Sequence, residues 1–159
     1  MVVDNKGKIT YVQVLKEDLA IFHITPDNGP VPDFKAGQFV TLGLHVPSEG
    51  KIIRRAYSIA SPPEQKKRFE LVVRWVRKPV PGRLTTELFS KKEGDEIAWV
   101  KPTGIFTITD KMPDGSPENR RMVLIGGGTG LAPFIAYSLH LKAIGSRREI
   151  VVLHGASYV

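Results

Sequence analysis

Hydrophobic and polar residues alternate in short segments between residues 8 and 108, a pattern typical of half-buried antiparallel strands. Turn-forming residues separate these segments. The alternation predicts six strands: Ile9–Leu15, Leu19–Thr25, Gln38–His45, Ile53–Ala60, Phe69–Val76 and Glu96–Lys101. Because an open six-stranded sheet leaves two unpaired edges, we expect the strands to close into a small barrel.

One helix is predicted within this β-rich part, near Thr85–Lys92. It follows Gly82, begins with hydroxyl residues suited to capping and ends in lysines, which favour a helix C-terminus. Residues 110–121 are polar and rich in turn formers, so we interpret them as a linker. The acidic residues of this linker, Asp110, Asp114 and Glu118, are expected to be solvated.

After the linker the pattern changes to strand, glycine turn, helix and strand. Met122–Ile125 and Ile150–Leu153 are continuous apolar runs of the kind found in parallel sheets, and a helix is predicted over about Ala132–Ile144. This order indicates a right-handed, Rossmann-like βαβ unit. Because the sequence ends six residues after Leu153, we expect a truncated unit with one helix on one face. Such a unit should be loosely ordered, or completed by another copy, another chain or the barrel.

Composition narrows the chemistry further. The chain has 159 residues, 42% hydrophobic and 25% charged, with no long apolar run and no signal-peptide pattern, so we expect a cytoplasmic globular protein. It contains no cysteine, which excludes thiolate metal sites and cysteine-bound iron–sulfur clusters within the chain. The net charge of +7 favours an acidic partner or a phosphate-bearing cofactor over nucleic acid, because aromatic residues do not interleave with the basic runs.

The first of three candidate segments lies in the predicted strand Ile53–Ala60. Arg55 and Tyr57 share one face of this strand, while Ser58 points to the other unless the strand bends. A tyrosine ring can stack on a flat heterocycle, and an arginine can bind phosphate oxygens. Taken alone, the segment is more typical of a half-buried tyrosine beside a solvated arginine.

The other two segments are glycine turns that precede helices. Gly82–Thr85 leads into the short helix, whose first N–H groups can bind an anion, although alone it is more typical of an ordinary helix start. Gly126–Phe134 places Gly128, Gly130 and Pro133 at a spacing close to the dinucleotide fingerprint. Proline suits a first helical turn, and glycines allow close approach of a ligand, so this segment favours a binding role.

Together and in this order, the three segments resemble the ferredoxin–NADP⁺ reductase family, and Phe34–Phe39 is similar to a further segment of that family. The resemblance implies an FAD-binding, six-stranded antiparallel β-barrel at residues 1–109, a linker at 110–121 and an incomplete NAD(P)-binding α/β domain at 122–159. It implies hydride exchange between NADP(H), as substrate, and flavin N5. It also implies electron transfer to an acidic partner, a ferredoxin or a flavodoxin.

The resemblance also implies roles for individual residues. Arg55 would bind the FAD pyrophosphate, Tyr57 would stack on the isoalloxazine, and Ser58 would bond near flavin N5. Thr129 would line the pocket where nicotinamide meets flavin. The predicted catalytic residues are Tyr57, Ser58 and Thr129. The predicted cofactor-binding residues are Arg55, Tyr57, Ser58, Val73, Gly82, Arg83, Leu84, Thr85, Gly128, Thr129, Gly130 and Pro133, and no metal site is expected.

Two alternatives remain open at this stage. One is a flavin-carrying electron-transfer subunit of a multi-component enzyme, like that of dihydroorotate dehydrogenase, although such subunits usually carry proline where Tyr57 stands. The other is a non-catalytic binding module built on the same barrel. In each case we expect no membrane partner, and the incomplete unit leaves self-association or a second chain open.

Overall fold

The computed structural model describes residues 4–156, which contain eight strands and two α-helices. The six predicted antiparallel strands are confirmed, with bounds that shift by a few residues. They are β1 (Asn5–Lys16), β2 (Leu19–Pro26), β3 (Phe39–Val46), β4 (Lys51–Ser58), β5 (Phe69–Arg74) and β6 (Glu96–Thr103). The predicted outer limits of the two domains, residues 1 and 159, lie outside the described residues.

The six strands form one sheet in the order β4-β3-β6-β1-β2-β5, so β4 and β5 lie at its two edges. Every neighbouring pair is antiparallel. Just beyond β4, the N–H of Ala60 donates to the carbonyl of Glu70 in β5 at 2.8 Å, which joins the two edges at one point. Complete closure into a barrel stays a prediction.

The core lies inside this curved sheet because alternate residues point inward. In β2 every second residue is buried, from Ala20 through Phe22 to Ile24. The ring of Phe69 meets the ring of Trp99 edge to face, with 5.3 Å between centroids, a favourable aromatic geometry.

The short helix α1 (Arg83–Phe89) covers one end of the core with two side chains four residues apart, Leu84 and Leu88. It begins two residues earlier than predicted and ends before the lysines. Its N-cap is Gly82, with no side-chain cap. The capping and lysine arguments were therefore wrong, because the placement of the two leucines in the core determines where the helix lies.

The α/β unit contains β7 (Met122–Gly127), a 3-10 turn (Gly128–Leu131), α2 (Ala132–Ala143) and β8 (Ile150–Gly155), with β7 and β8 parallel. On one face, Leu124 packs with Ala136, Tyr137 and Leu141 of α2. On the other face, the exposed fractions are 53% for Val123, 72% for Ile125 and 51% for Leu153. One helix thus covers one face, as expected, while loose order or completion by another chain stays a prediction.

Most residues of the segment at 110–121 are exposed, but its acidic residues also make contacts within the protein. Glu118 is only 7% exposed, and Arg120 holds its carboxylate, which lowers the pKa of Glu118 to about 2. Asp110 accepts a hydrogen bond from the hydroxyl of Tyr137 at 3.0 Å. The expectation of solvation was wrong for Glu118, because Arg120, two residues along the chain, supplies a partner for its buried carboxylate. Asp110 is partly exposed, and Asp114 is exposed as expected.

Between residues 4 and 156, neither helix has the length and apolar character needed to cross a membrane.

Candidate functional site

A groove of about 540 Å³ lies between the two edges of the large sheet and the glycine turn. This volume is within the range of small-molecule sites, roughly 300–1,000 Å³. The groove brings together ten of the twelve residues predicted to bind a cofactor, from four separate segments: Arg55, Tyr57, Ser58, Val73, Gly82, Arg83, Leu84, Thr85, Thr129 and Gly130.

The end of β4 supplies Arg55, Tyr57 and Ser58. Strand alternation places Ser58 on the opposite face from the other two, yet all three line the groove. Ser58 is the last residue of the strand, and the chain beyond it turns toward β5, where Ala60 bonds to Glu70. The groove therefore wraps around the end of the strand.

The hydroxyl of Tyr57 is buried and has no hydrogen-bond partner among the described residues. Burial raises the pKa of Tyr57 to about 12, against the opposing charge of Arg55. A buried hydroxyl without a partner costs about 1–3 kcal/mol. The ring itself packs against the core, so the phenol is held in place while its polar end lacks a partner.

Positive charge lines the same groove. The guanidinium of Arg55 donates to the carbonyl of Arg54 at 2.7 Å and has no carboxylate partner between residues 4 and 156. Arg54, by contrast, is held by Asp4, with 3.0 Å between Nε and Oδ1, and Arg74 is paired with Asp18 at 3.1 Å. Arg55 is therefore the arginine of this group whose charge is left for a ligand.

The start of α1 forms the opposite wall. Gly82 has an extended backbone, and the first-turn N–H groups of Arg83, Leu84 and Thr85 have no partner within the helix by geometry. The hydroxyl of Thr85 is occupied, since it donates to the carbonyl of Gly82 at 3.1 Å.

Three of the residues around this wall point their side chains elsewhere. The side chain of Arg83 pairs with Glu49 at 3.1 Å. Those of Leu84 and Val73 are buried in the core. All three therefore bring mainly their backbones to the groove.

The glycine turn closes one end of the groove with Thr129 and Gly130. Gly126 packs tightly, because a Cβ there would lie 3.0 Å from the ring of Phe134. Gly128 and Pro133 do not reach the groove. Gly128 lines a neighbouring cavity of about 330 Å³, and Pro133 is buried in the first turn of α2.

Sequence reasoning missed several residues of the groove: Ala56, Val72, Arg74, Val76 and Ala132. Val72 and Arg74 lie on the outward face of β5, and that alternation was readable in the predicted strand. What could not be read was that this edge faces β4 across the groove. Among the described residues, no cluster of histidine and acidic side chains could hold a metal ion.

Matches to known proteins cover most of the chain. Residues 6–108 match the family model described as "Oxidoreductase FAD-binding domain". The ferredoxin–NADP reductase of Pseudomonas aeruginosa is 34% identical over 141 residues, covering 87% of this chain and 50% of that protein. The flavodoxin/ferredoxin–NADP reductase of Shigella flexneri is 32% identical over 154 residues, covering 96% of this chain and 56% of that protein. The chain belongs to the ferredoxin–NADP⁺ reductase family.

A solved structure of a ferredoxin–NADP⁺ reductase from Neisseria gonorrhoeae, with bound FAD and NADP, has the same fold. Its TM-score is 0.74 at 24% identity, and the match covers 95% of this chain and 56% of that one. The chain therefore has the fold of the reductase family over nearly all of its length. It spans about half the length of the curated relatives that it matches.

Proposed function

We propose that the groove binds FAD and that the chain, with residues up to 109 as its flavin domain, acts in electron transfer between NADP(H) and a protein partner. The observation that carries the proposal is the buried hydroxyl of Tyr57, which has no hydrogen-bond partner among the described residues. The same groove is lined by Arg55, whose guanidinium has no carboxylate partner in that part of the chain. A ligand with a phosphate for the guanidinium, and a flat ring whose polar edge reaches the phenol, would engage both groups. Membership of the family supports FAD as that ligand.

Each wall of the groove then has a role. Arg55 binds a phosphate through its guanidinium, since no acidic side chain in the described part of the chain competes for it. The ring of Tyr57 stacks on the flavin, and the hydroxyl of Ser58 bonds near the reactive edge of the ring. In place of the occupied hydroxyl of Thr85, the backbone N–H groups at the start of α1 bind the second phosphate.

The glycine turn is the proposed meeting point with the nicotinamide. Thr129 and Gly130 lie in the groove, so a nicotinamide held there would come next to the ring stacked on Tyr57. Gly128 and Pro133 do not line the groove; Gly128 shapes the turn, and Pro133 lies in the first turn of α2. When bound, the flavin supplies the hydride and single-electron chemistry, while the protein orients the two rings and sets the local charge.

Two further features fit this function. The net charge of +7 favours an acidic electron-transfer partner such as a ferredoxin or flavodoxin. We also take the six strands to form a closed barrel, which the hydrogen bond between Ala60 and Glu70 supports. A closed barrel would hold both walls of the groove at a constant separation.

Paired arginine variants test the proposal. FAD added to the purified protein should bind, with a change in flavin absorbance and fluorescence. Arg55→Ala should weaken binding by up to about 3 kcal/mol, because a charge-assisted hydrogen bond to phosphate is lost. Arg54→Ala is the matched control: it removes the neighbouring arginine, which is held by Asp4 and does not line the groove.

Equal FAD affinity of Arg55→Ala and the unaltered protein would contradict the assignment of the phosphate site. A purified protein that takes up no flavin and retains DNA on a column would contradict the function itself and favour a binding module.

A further inference from the structure

Charged side chains also meet away from the groove, where three parts of the chain converge. His140 lies on α2, Asp110 precedes β7, and Glu64 lies in the loop between β4 and β5. Nδ1 of His140 is 2.6 Å from Oε1 of Glu64, and Nε2 is 2.9 Å from Oδ2 of Asp110. The imidazole therefore bridges the large sheet and the α/β unit, with a carboxylate at each ring nitrogen.

The geometry determines which protonation state makes both bonds. A neutral imidazole has one N–H donor, and an ionised carboxylate can only accept. Both contacts of His140 are therefore satisfied at once only when the ring is an imidazolium. Burial lowers the pKa of His140, but its hydrogen bonds to the carboxylates of Asp110 and Glu64, and their charges, outweigh burial, so its pKa is raised above the ordinary value.

The groups next to His140 do not take over the role of its imidazolium, which is to donate to both carboxylates. The hydroxyl of Tyr137, also on α2, donates to Asp110 at 3.0 Å. Behind it, Arg148 donates to that hydroxyl at 2.8 Å and to the carbonyl of Thr109 at 2.9 Å. His140 is thus faced by Glu64 from the large sheet and by Asp110 from the connecting segment, and Arg148 lies beyond the tyrosine. Deprotonation leaves a single imidazole N–H for the two carboxylates, and the hydroxyl of Tyr137 reaches only Asp110.

We propose that His140 is a proton-operated clasp, whose imidazolium fixes the α/β unit against the large sheet and whose deprotonation loosens that attachment. The clasp acts on the glycine turn because α2 begins directly after it. His140 lies eight residues beyond Ala132, the first residue of α2, which is about 12 Å along a rigid helix. A shift at the clasp therefore moves Thr129 relative to the wall of the groove formed by Arg55 and Tyr57, whether or not the groove holds FAD.

The direction of the pH effect follows from the raised pKa. The attachment is at full strength when the pH is below the ordinary pKa of histidine, about 6.5. It is lost as the pH rises through the raised pKa that His140 has in the folded protein. The two units should therefore be held firmly in mildly acidic solution and move apart more readily in alkaline solution.

The first measurement reads the imidazole itself. Long-range ¹H–¹⁵N correlation spectra of the FAD-free protein, recorded from pH 5.5 to 9, should show both ring nitrogens of His140 protonated at pH 6. Loss of one signal in His140→Gln assigns the resonance, and His45→Gln, at an exposed strand position, is the control. Glu64→Gln should shift the titration of His140 to lower pH. A neutral ring at pH 6 would overturn the proposal.

The second measurement reads the distance between the units. Because the chain has no cysteine, Lys67→Cys and Lys142→Cys can carry a fluorescent pair across the junction at two exposed sites. The transfer efficiency should fall from pH 6 to pH 9 in the otherwise unaltered chain. That dependence should vanish in Glu64→Gln, which keeps the helix residue and removes only the charge on the loop.

A transfer efficiency that does not change with pH, while His140 titrates, would also overturn the clasp. Neither measurement depends on flavin binding, so a failure of the flavin assignment would leave the outcome of both unchanged.

Discussion

The large sheet and the α/β unit are built from similar apolar residues, yet they bury them to different extents. In β2, Phe22 is 1% exposed, because the sheet curves around it and α1 covers the end of the core. In β7, Leu124 is buried while its neighbours Val123 and Ile125 are exposed. The difference shows that burial depends on how many layers surround a strand, and not on the hydrophobicity of its residues.

The candidate site lies where these two regions meet. The large sheet holds Arg55 and Tyr57 on β4, which packs against the main core through Ile53 and Tyr57 itself. The α/β unit brings Thr129 from a turn that is supported on one face by a single helix. The wall formed by β4 should therefore be the more rigid one, and the wall formed by the glycine turn should be the one that moves.

The largest expected effect compares the two cores directly. Phe22→Ala should lower the free energy of unfolding by about 3–5 kcal/mol, since it opens a cavity in the sheet. Ile125→Ala, on the exposed face of β7, should change it by no more than about 0.5 kcal/mol. Urea unfolding followed by the fluorescence of the buried Trp99 measures both. A large loss in Ile125→Ala would show that this face is covered in solution.

The next effect concerns the backbone of the glycine turn. Gly128 has a φ of 51°, so Gly128→Ala should destabilise the α/β unit by about 1–2 kcal/mol through the left-handed conformation alone. At neither Gly128 nor Gly130 would a Cβ meet an atom within 4 Å, so Gly130→Ala is a control without the strain. Amide exchange at Leu124 and Ala136 reports the local stability. Equal protection in both variants would contradict the role of φ.

The smallest effect compares a buried tyrosine from each region. Burial raises the pKa of both Tyr57 and Tyr137 to about 12, but only Tyr137 has hydrogen-bond partners, in Asp110 and Arg148. Tyr137→Phe should lower the free energy of unfolding by about 1 kcal/mol. Tyr57→Phe should leave it unchanged or raise it slightly in the FAD-free protein, while weakening FAD binding. Thermal unfolding without FAD, and FAD titration, measure the two outcomes.

Much of the fold could be predicted from local pattern. Alternation gave all six strands of the large sheet, and the order of strand, glycine turn, helix and strand gave the α/β unit. The three segments that carry the resemblance contain nearly every predicted residue of the groove. Local pattern failed at α1, where capping and charge predicted a later start than the placement of Leu84 and Leu88 in the core allows.

The sequence by itself determined the strand period, the order of the two units and the residue types of the candidate site, because each of these depends on neighbours within a few positions. Only the tertiary structure decided that Glu118 is buried, that the hydroxyl of Tyr57 lacks a partner among the described residues, and that His140 lies between two carboxylates. Glu64 and His140 are 76 residues apart. Contacts of that kind depend on how the whole chain folds back on itself, and no local periodicity encodes them.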